Sequence, residues 1–97
     1  MRFEILLAPE ALEDRKRLDP DAWAGVRSAI DLHLRYEPMK VSRSRIKRLR
    51  GLRRPQFRLR VGEVRVFYDV VGSEVHVLAI VPKSQASVWL EELGEPE

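Results

Sequence analysis

Three arginines lie on the segment FRLRVGEVRV at residues 57–66, where basic and apolar residues alternate on either side of a glycine: Arg58, Arg60 and Arg65. Side chains on a β-strand point alternately to its two faces, so each half of this segment has one apolar face and one basic face. The planar guanidinium group of arginine suits paired hydrogen bonds to phosphate or carboxylate. The segment therefore predicts a site for an anion.

The register of the two strands brings these arginines together. If residues 62–63 form the two-residue loop of a hairpin, Arg60 lies directly opposite Arg65, and Arg58 lies opposite Phe67. Like charges that face each other across two strands destabilise the pair by roughly a few tenths of a kcal/mol when they are exposed. We interpret the missing counter-charge as one that a ligand supplies, and we expect the arginine face to be open.

The rest of the basic charge is concentrated near this hairpin. The net charge is only +3, but the chain has no acidic residue between Pro38 and Gly62. The basic residues in that interval are Lys40, Arg43, Arg45, Lys47, Arg48, Arg50, Arg53, Arg54, Arg58 and Arg60. This segregation is typical of polyanion-binding proteins, because neutralised phosphates release counterions. Lys47, Arg48, Arg50, Arg53 and Arg54 are the candidate polyanion-binding residues outside the hairpin, and a solvated basic surface is the alternative interpretation.

Length and composition limit the possible classes of protein. Residues 1–97 are expected to form a single domain. Hydrophobic residues make up 44% and charged residues 34% of the chain, which favours a soluble globular protein over a disordered one. No apolar run approaches the roughly 18 residues that a membrane span needs. The absence of cysteine and of a signal peptide predicts a cytoplasmic protein without disulfides. No metal site and no cofactor are predicted, because the two histidines are far apart and no carboxylate cluster accompanies them.

The hydrophobic pattern predicts an α+β fold. A short strand at 3–7 is followed by a helix that begins at Pro9 and by a second helix over 20–36. The segment 39–55 is expected to be a mostly basic loop with a short turn at 46–49. Three antiparallel strands follow at 56–61, 64–71 and 74–81, and the final helix places Ala86, Trp89, Leu90 and Leu93 on one face. The predicted order is β-α-α-β-β-β-α, with the helical hairpin packed on one face of a small, mainly antiparallel sheet.

The segment IKRLRGLRRPQFRLRVGEVRVFYDVVGSEVHVLAIVPK, at residues 46–83, resembles the RelE/ParE superfamily of toxins from bacterial toxin–antitoxin systems. The resemblance rests on a basic-Leu-basic-Gly pattern, alternating basic residues, and a Gly-acid-x-Arg-x-x-Tyr motif. The RelE branch contains ribosome-dependent endoribonucleases that cut mRNA in the A site. In that chemistry the ribose 2′-OH attacks the adjacent phosphate, leaving a cyclic phosphate and a 5′-OH.

The resemblance also implies roles for individual residues. It makes the polyanion-binding candidates candidate RNA-binding residues: Lys47, Arg48, Arg50, Arg53 and Arg54. Arg58 and Arg60 match basic strand residues near the scissile phosphate, and Arg65 matches a phosphate-stabilising arginine. Lys83 stands where RelE-like toxins often have an arginine, and Trp89 stands where many have a functional tyrosine. Arginine is a poor base, whereas Lys83 could act as base or acid if neighbouring cations depress its pKa. Trp89 is either a core residue, which its helical register favours, or a platform that stacks on an RNA base.

Two histidines remain outside this scheme. His33 lies on or beside the apolar face of the second helix and is expected to be structural. His76 is expected to pair with Asp69 across the second hairpin, and this pair is either structural or part of the site.

Three functions are consistent with the sequence. The first is an mRNA endoribonuclease toxin whose partners are a cognate antitoxin, the ribosome and mRNA, with operator DNA bound only through the antitoxin. The second is a ParE-like toxin without nuclease activity that inhibits DNA gyrase, which Trp89 in place of tyrosine favours slightly. The third is a plain RNA-binding module. None of them involves a membrane.

Overall fold

The computed structural model describes residues 1–97 and has an α+β fold. In chain order the elements are β1 (Glu4–Leu7), α1 (Pro9–Lys16), α2 (Pro20–Ala29), a π-helical turn (Ile30–Leu34), β2 (Ile46–Arg48), β3 (Leu52–Arg54), β4 (Phe57–Val61), β5 (Val64–Val71), β6 (Glu74–Pro82), a 3₁₀ turn (Lys83–Gln85), α3 (Ala86–Leu93) and β7 (Glu95–Pro96). None of the helices combines the length and the apolar character needed to span a membrane.

Five strands form the main sheet in the order β1-β6-β5-β4-β2. The pairs β2–β4, β4–β5 and β5–β6 are antiparallel, and β1 runs parallel to β6 at one edge. The short strands β3 and β7 form a separate two-stranded sheet. The prediction of a small, mainly antiparallel sheet is therefore confirmed.

The helical hairpin packs on one face of the main sheet. Its first helix begins with Pro9, and its second is capped by Asp19, whose side chain accepts a hydrogen bond from Ala22 N at 2.8 Å. The core between helices and sheet consists of Phe3, Ala11, Val26, Ala29, Ile30, Leu34, Ile46, Phe57, Leu59, Val66, Tyr68, Val75, Val77 and Ile80. The Tyr68 hydroxyl donates to the Pro38 carbonyl at 2.6 Å, and its burial raises the pKa of Tyr68, so the phenol stays a donor.

Both hairpin registers are as the sequence predicts. Val61 pairs with Val64 and Arg60 with Arg65, and Gly62 has a φ of +57° in the connecting turn. A positive φ is accessible to glycine without the steric penalty that a side chain brings. These turns therefore fix which side chains share each face of the sheet.

A β-bulge interrupts the pairing of β5 with β6 between Phe67 and Tyr68. Three residues beyond the last β6 residue that pairs with β1, the Ile80 amide donates to the Asp14 carboxylate of α1 at 2.9 Å. The irregular backbone of β6 is thus tied to the first helix of the hairpin.

The helix α3 covers part of the opposite face, so the expectation of an open arginine face holds for Arg60, which is exposed, and is wrong for Arg65, which is buried. Phe67, Ala79 and Val81 form a second buried cluster there. The α3 residues Ala86, Trp89 and Leu90, together with Leu49, pack against that cluster. The sequence shows that α3 has an apolar side, but it does not show which surface that side meets.

The segment 39–55 differs from the predicted loop. It contains β2, which extends the main sheet beyond β4, and β3, which pairs with the C-terminal strand β7. The second helix also changes to π-helical geometry at Ile30, within the predicted span 20–36. Gly94 ends α3, and a Cβ atom at this position would lie 2.5 Å from the Leu90 carbonyl oxygen.

Candidate functional site

A cleft of about 460 Å³ lies between the main sheet and α3. Its lining residues are Lys47, Leu49, Arg58, Arg65, Phe67, Lys83, Ala86, Ser87, Leu90 and Glu91. The apolar members belong to the small cluster under α3 or pack against it. The polar members are therefore held around an apolar floor.

Four cations line this cleft, and each comes from a different part of the sheet. Lys47 lies on β2, Arg58 on β4, Arg65 on β5, and Lys83 follows β6 directly. Lys47 and Arg58 are direct cross-strand partners. The cleft thus brings together three of the four predicted catalytic residues, Arg58, Arg65 and Lys83. Lys47, a predicted RNA-binding residue, lies beside them.

Arg58 is held in an unfavourable environment. Its Nε atom is buried and has no hydrogen-bond partner. Burial lowers the pKa of Arg58, and the charges of Arg65 and Arg60 lower it further. A buried donor without a partner costs about 1–3 kcal/mol, so the protein holds this guanidinium in place at the expense of stability.

Arg65 is anchored more firmly than the sequence indicates. Only 6% of the residue is exposed, and its Nη1 atom donates to the carbonyls of Gly62 at 2.8 Å and Val64 at 3.1 Å. These bonds tie the guanidinium to the β4–β5 turn, while its other nitrogens make no hydrogen bond within the protein. The side chain can therefore both order the hairpin and offer donors to a ligand.

Lys83 occupies the junction of sheet and helix. Its backbone amide donates to the Glu63 carbonyl at 2.7 Å, which fixes the start of the 3₁₀ turn against the β4–β5 turn. The residue is exposed, and its ammonium group makes no ion pair. The side chain is thus free to contact a molecule in the cleft.

The remaining predicted basic residues lie outside the cleft lining. Arg60 shares the face of Arg58 and Arg65 but is exposed. Arg48 is exposed on the opposite face, with its guanidinium 5.1 Å from the centre of the Phe57 ring. Arg50 is exposed between β2 and β3. Arg60 extends the basic surface beside the cleft, while Arg48, on the edge strand β2, continues it on the other face of the sheet.

Arg53 and Arg54 are neutralised within the protein. Arg53 Nη2 lies 2.6 Å from Glu95 Oε1, and Arg54 Nε lies 2.8 Å from Asp69 Oδ2. The hydrogen bond from Arg53 is the main cause that lowers the pKa of Glu95. The structure separates these two arginines from the four cations of the cleft.

Trp89 contacts the protein core. Its ring stacks on Phe67 with centroids 5.0 Å apart and an interplanar angle of 6°. The exposed part of the ring borders a different depression, with Ala8, Pro55 and Leu93. This placement supports the core interpretation of Trp89 and separates the ring from the cleft.

Replacing Trp89 by alanine is expected to lower the free energy of unfolding by roughly 2–3 kcal/mol. The value lies below the 3–5 kcal/mol typical of a fully buried tryptophan, because Trp89 is only half-buried. Phenylalanine keeps a stacked ring and should cost about 1 kcal/mol or less. Urea denaturation of the three proteins measures both effects, and an unchanged midpoint for Trp89→Ala would contradict the core role.

Sequence reasoning missed Ser87 and Glu91. They lie four residues apart on α3, so both point to the same side of the helix, beside the inward-facing Ala86 and Leu90. Their helical spacing is visible in the sequence. The residues that surround them in the cleft cannot be read from the sequence, because they depend on where α3 packs on the sheet.

Neither histidine lies in the cleft. Burial and the charge of Arg45 lower the pKa of His33. His76 is opposite Asp69 as predicted, but its Nε2 atom lies 2.9 Å from Glu74 Oε1, and Asp69 instead accepts hydrogen bonds from Arg54 and Gln56. The chain has no group of three or more histidine, aspartate or glutamate residues that could hold a metal ion.

Comparison with solved structures identifies the architecture. RelE–RelB from Pyrococcus horikoshii matches with a TM-score of 0.71 and 20% identity, covering 88% of this chain and 99% of the other. The toxin–antitoxin complex RelBE2 from Mycobacterium tuberculosis matches with a TM-score of 0.67 and 24% identity, covering 84% and 99%. The chain has the RelE fold.

The YoeB dimer from Staphylococcus aureus shares the RelE fold at a TM-score of 0.62 and 18% identity, over 81% of this chain and 94% of the other. No family model and no curated protein sequence matches the chain. The resemblance inferred from the motif is thus confirmed at the level of the RelE fold.

Proposed function

We propose that this protein is the toxin of a type II toxin–antitoxin system and that it cleaves mRNA on the ribosome without a metal ion. The observation that carries the proposal is the cleft in which Lys47, Arg58, Arg65 and Lys83 meet around an unpartnered guanidinium nitrogen. The RelE fold supports the same conclusion, because the matched structures include toxin–antitoxin complexes.

The charge of the cleft suits cleavage of a phosphodiester by a neighbouring hydroxyl. Attack of the ribose 2′-OH on phosphorus creates a pentacovalent intermediate with additional negative charge. Donors that are already oriented toward that charge lower the barrier, and removing one such donor typically costs 10²–10³-fold in rate, or about 2.7–4 kcal/mol. Arg65 is fixed by its burial and by its hydrogen bonds to the β4–β5 turn, and Arg58 is held by its half-buried position, so both guanidinium groups are oriented before substrate arrives.

Proton transfer at the leaving oxygen falls to Lys83 in this proposal. The arginines of the cleft hold their protons too tightly to exchange them during turnover. The Lys83 ammonium is exposed and unpaired, so it can reach a 5′-oxygen at the cleft. The exposed basic residues Lys47, Arg48 and Arg50 then contact the flanking RNA backbone through its phosphates.

The proposed partner in the cell is a cognate antitoxin, through which operator DNA is also bound. Both the Pyrococcus horikoshii and the Mycobacterium tuberculosis structures are toxin–antitoxin complexes. An acidic segment of such a partner would complement the cations of the cleft and exclude RNA from it.

Controlled expression in a bacterial host tests the function. Wild-type protein and Arg58→Met are produced at matched levels in cells that report on translation and on DNA damage. The proposal expects growth arrest, loss of translation and cut transcripts with the wild type, and none of these with the variant. Purified protein should also cut mRNA bound to ribosomes, as primer extension would show.

Other outcomes identify the other functions. DNA-damage signalling with intact transcripts would indicate the gyrase-inhibiting alternative. RNA binding without toxicity or cleavage would leave a binding module. Either result would overturn the nuclease proposal.

A further inference from the structure

Glu91 provides the only carboxylate in the lining of the cleft. It lies in the last turn of α3, on the side of the helix that borders the cleft. The sheet supplies the cations on the other wall of the cleft. Ser87 lies one turn earlier on the same side of the helix. The helix therefore contributes an acceptor to a site whose other charged groups are all donors.

This carboxylate is unpaired although four cations line the same cleft. Glu91 takes part in none of the ion pairs of the protein and in none of its side-chain hydrogen bonds. Every lysine Nζ atom and every arginine guanidinium nitrogen lies more than 4.0 Å from its carboxylate oxygens. The space between Glu91 and the cations is thus open to a ligand.

The reaction proposed above lacks an acceptor for the 2′-OH proton. Guanidinium and ammonium groups only donate, and a serine hydroxyl is a weak base, whereas an ionised carboxylate only accepts. We propose that Glu91 is the general base of the cleavage reaction. This inference rests on the proposed function.

A Glu91 carboxylate oxygen takes the proton of the 2′-OH while the 2′-oxygen forms its bond to phosphorus. The bond between phosphorus and the 5′-oxygen then breaks, and that oxygen takes a proton from the Lys83 ammonium. The products are a 2′,3′-cyclic phosphate and a 5′-OH, and exchange with water restores both side chains.

Single-turnover cleavage of ribosome-bound mRNA by the purified full chain tests the proposal. Glu91→Gln keeps the shape of the side chain and removes its basicity. Glu92→Gln is the matched control, since it removes the same charge from the next, exposed residue of the same helix. We expect Glu91→Gln to be slowed about 100-fold and Glu92→Gln to remain within about threefold of the wild type. Binding to an mRNA with a 2′-deoxy nucleotide at the cleaved position should be alike in all three proteins.

A substrate with sulfur in place of the 5′-bridging oxygen separates base from acid. A thiolate leaves without a proton, so this substrate repairs the loss of a general acid but not that of a general base. Glu91→Gln should therefore stay slow on the sulfur substrate. The inference is overturned if Glu91→Gln cleaves as fast as Glu92→Gln, or if sulfur restores its rate. Failure of the wild type to cut any mRNA would instead overturn the proposed function, and this inference with it.

Discussion

Arg58→Met is expected to slow RNA cleavage by about 10²–10³-fold and, at the same time, to stabilise the fold. Cleavage falls because the oriented guanidinium no longer meets the charge that develops on phosphorus. Stability rises because methionine fills the apolar part of the site without a buried donor, and an unsatisfied donor costs about 1–3 kcal/mol.

The sign of the stability change follows from the pKa of Arg58. Burial makes this pKa lower in the folded protein than in the unfolded chain. The charged side chain is therefore less favourable in the folded state, and it opposes folding at every pH at which it is protonated. The gain should therefore persist across the neutral pH range.

Urea denaturation and single-turnover cleavage measure the two effects of this substitution. Arg43→Met is the control, because it removes the same charge from an exposed residue of the basic segment that lines no part of the cleft. We expect little change in its stability and at most a small loss of activity. A destabilised Arg58→Met protein with normal cleavage would show that the guanidinium serves the fold.

Lys83→Met is expected to lower the cleavage rate by about 10²–10⁴-fold, the range associated with a lost proton-transfer group. The exposed side chain contributes little to stability, so the melting temperature should not change. A substrate with a sulfur leaving group should recover most of the rate, since its departure needs no proton.

Lys83→Arg distinguishes proton transfer from simple charge. Guanidinium keeps the positive charge at any usable pH but does not release its proton during turnover. If Lys83 donates the proton, Lys83→Arg should be nearly as slow as Lys83→Met. Recovery of most of the activity in Lys83→Arg would mean that Lys83 only stabilises charge.

The hairpins could be predicted because local rules determine them. The loop has two residues and begins with glycine, and apolar and basic residues alternate on both sides of it. Only one strand register fits this pattern, and it places Arg60 opposite Arg65. The capped start of the second helix at Asp19 is equally local.

The walls of the cleft depend on contacts between distant parts of the chain. The strands β2 and β3 are three residues long and mostly basic, so neither shows the alternation of a longer strand. The apolar side of α3 predicts that the helix is packed, but several surfaces could receive it. The burial of Arg65 and the position of Glu91 both depend on the surface against which α3 packs. The sequence does not show that surface, so it indicated neither feature.

The stack of Trp89 on Phe67 is one of the few contacts that hold α3 on the sheet, so the two walls of the cleft differ in stability. The cations belong to a five-stranded sheet with a large core, whereas Glu91 belongs to a helix of eight residues that a three-residue cluster holds in place. A helix of two turns does not persist in water without such contacts. Local opening of α3 therefore needs less free energy than global unfolding, and it would remove the carboxylate while leaving the cations assembled. A protein in that state would still bind RNA but could not begin to cut it.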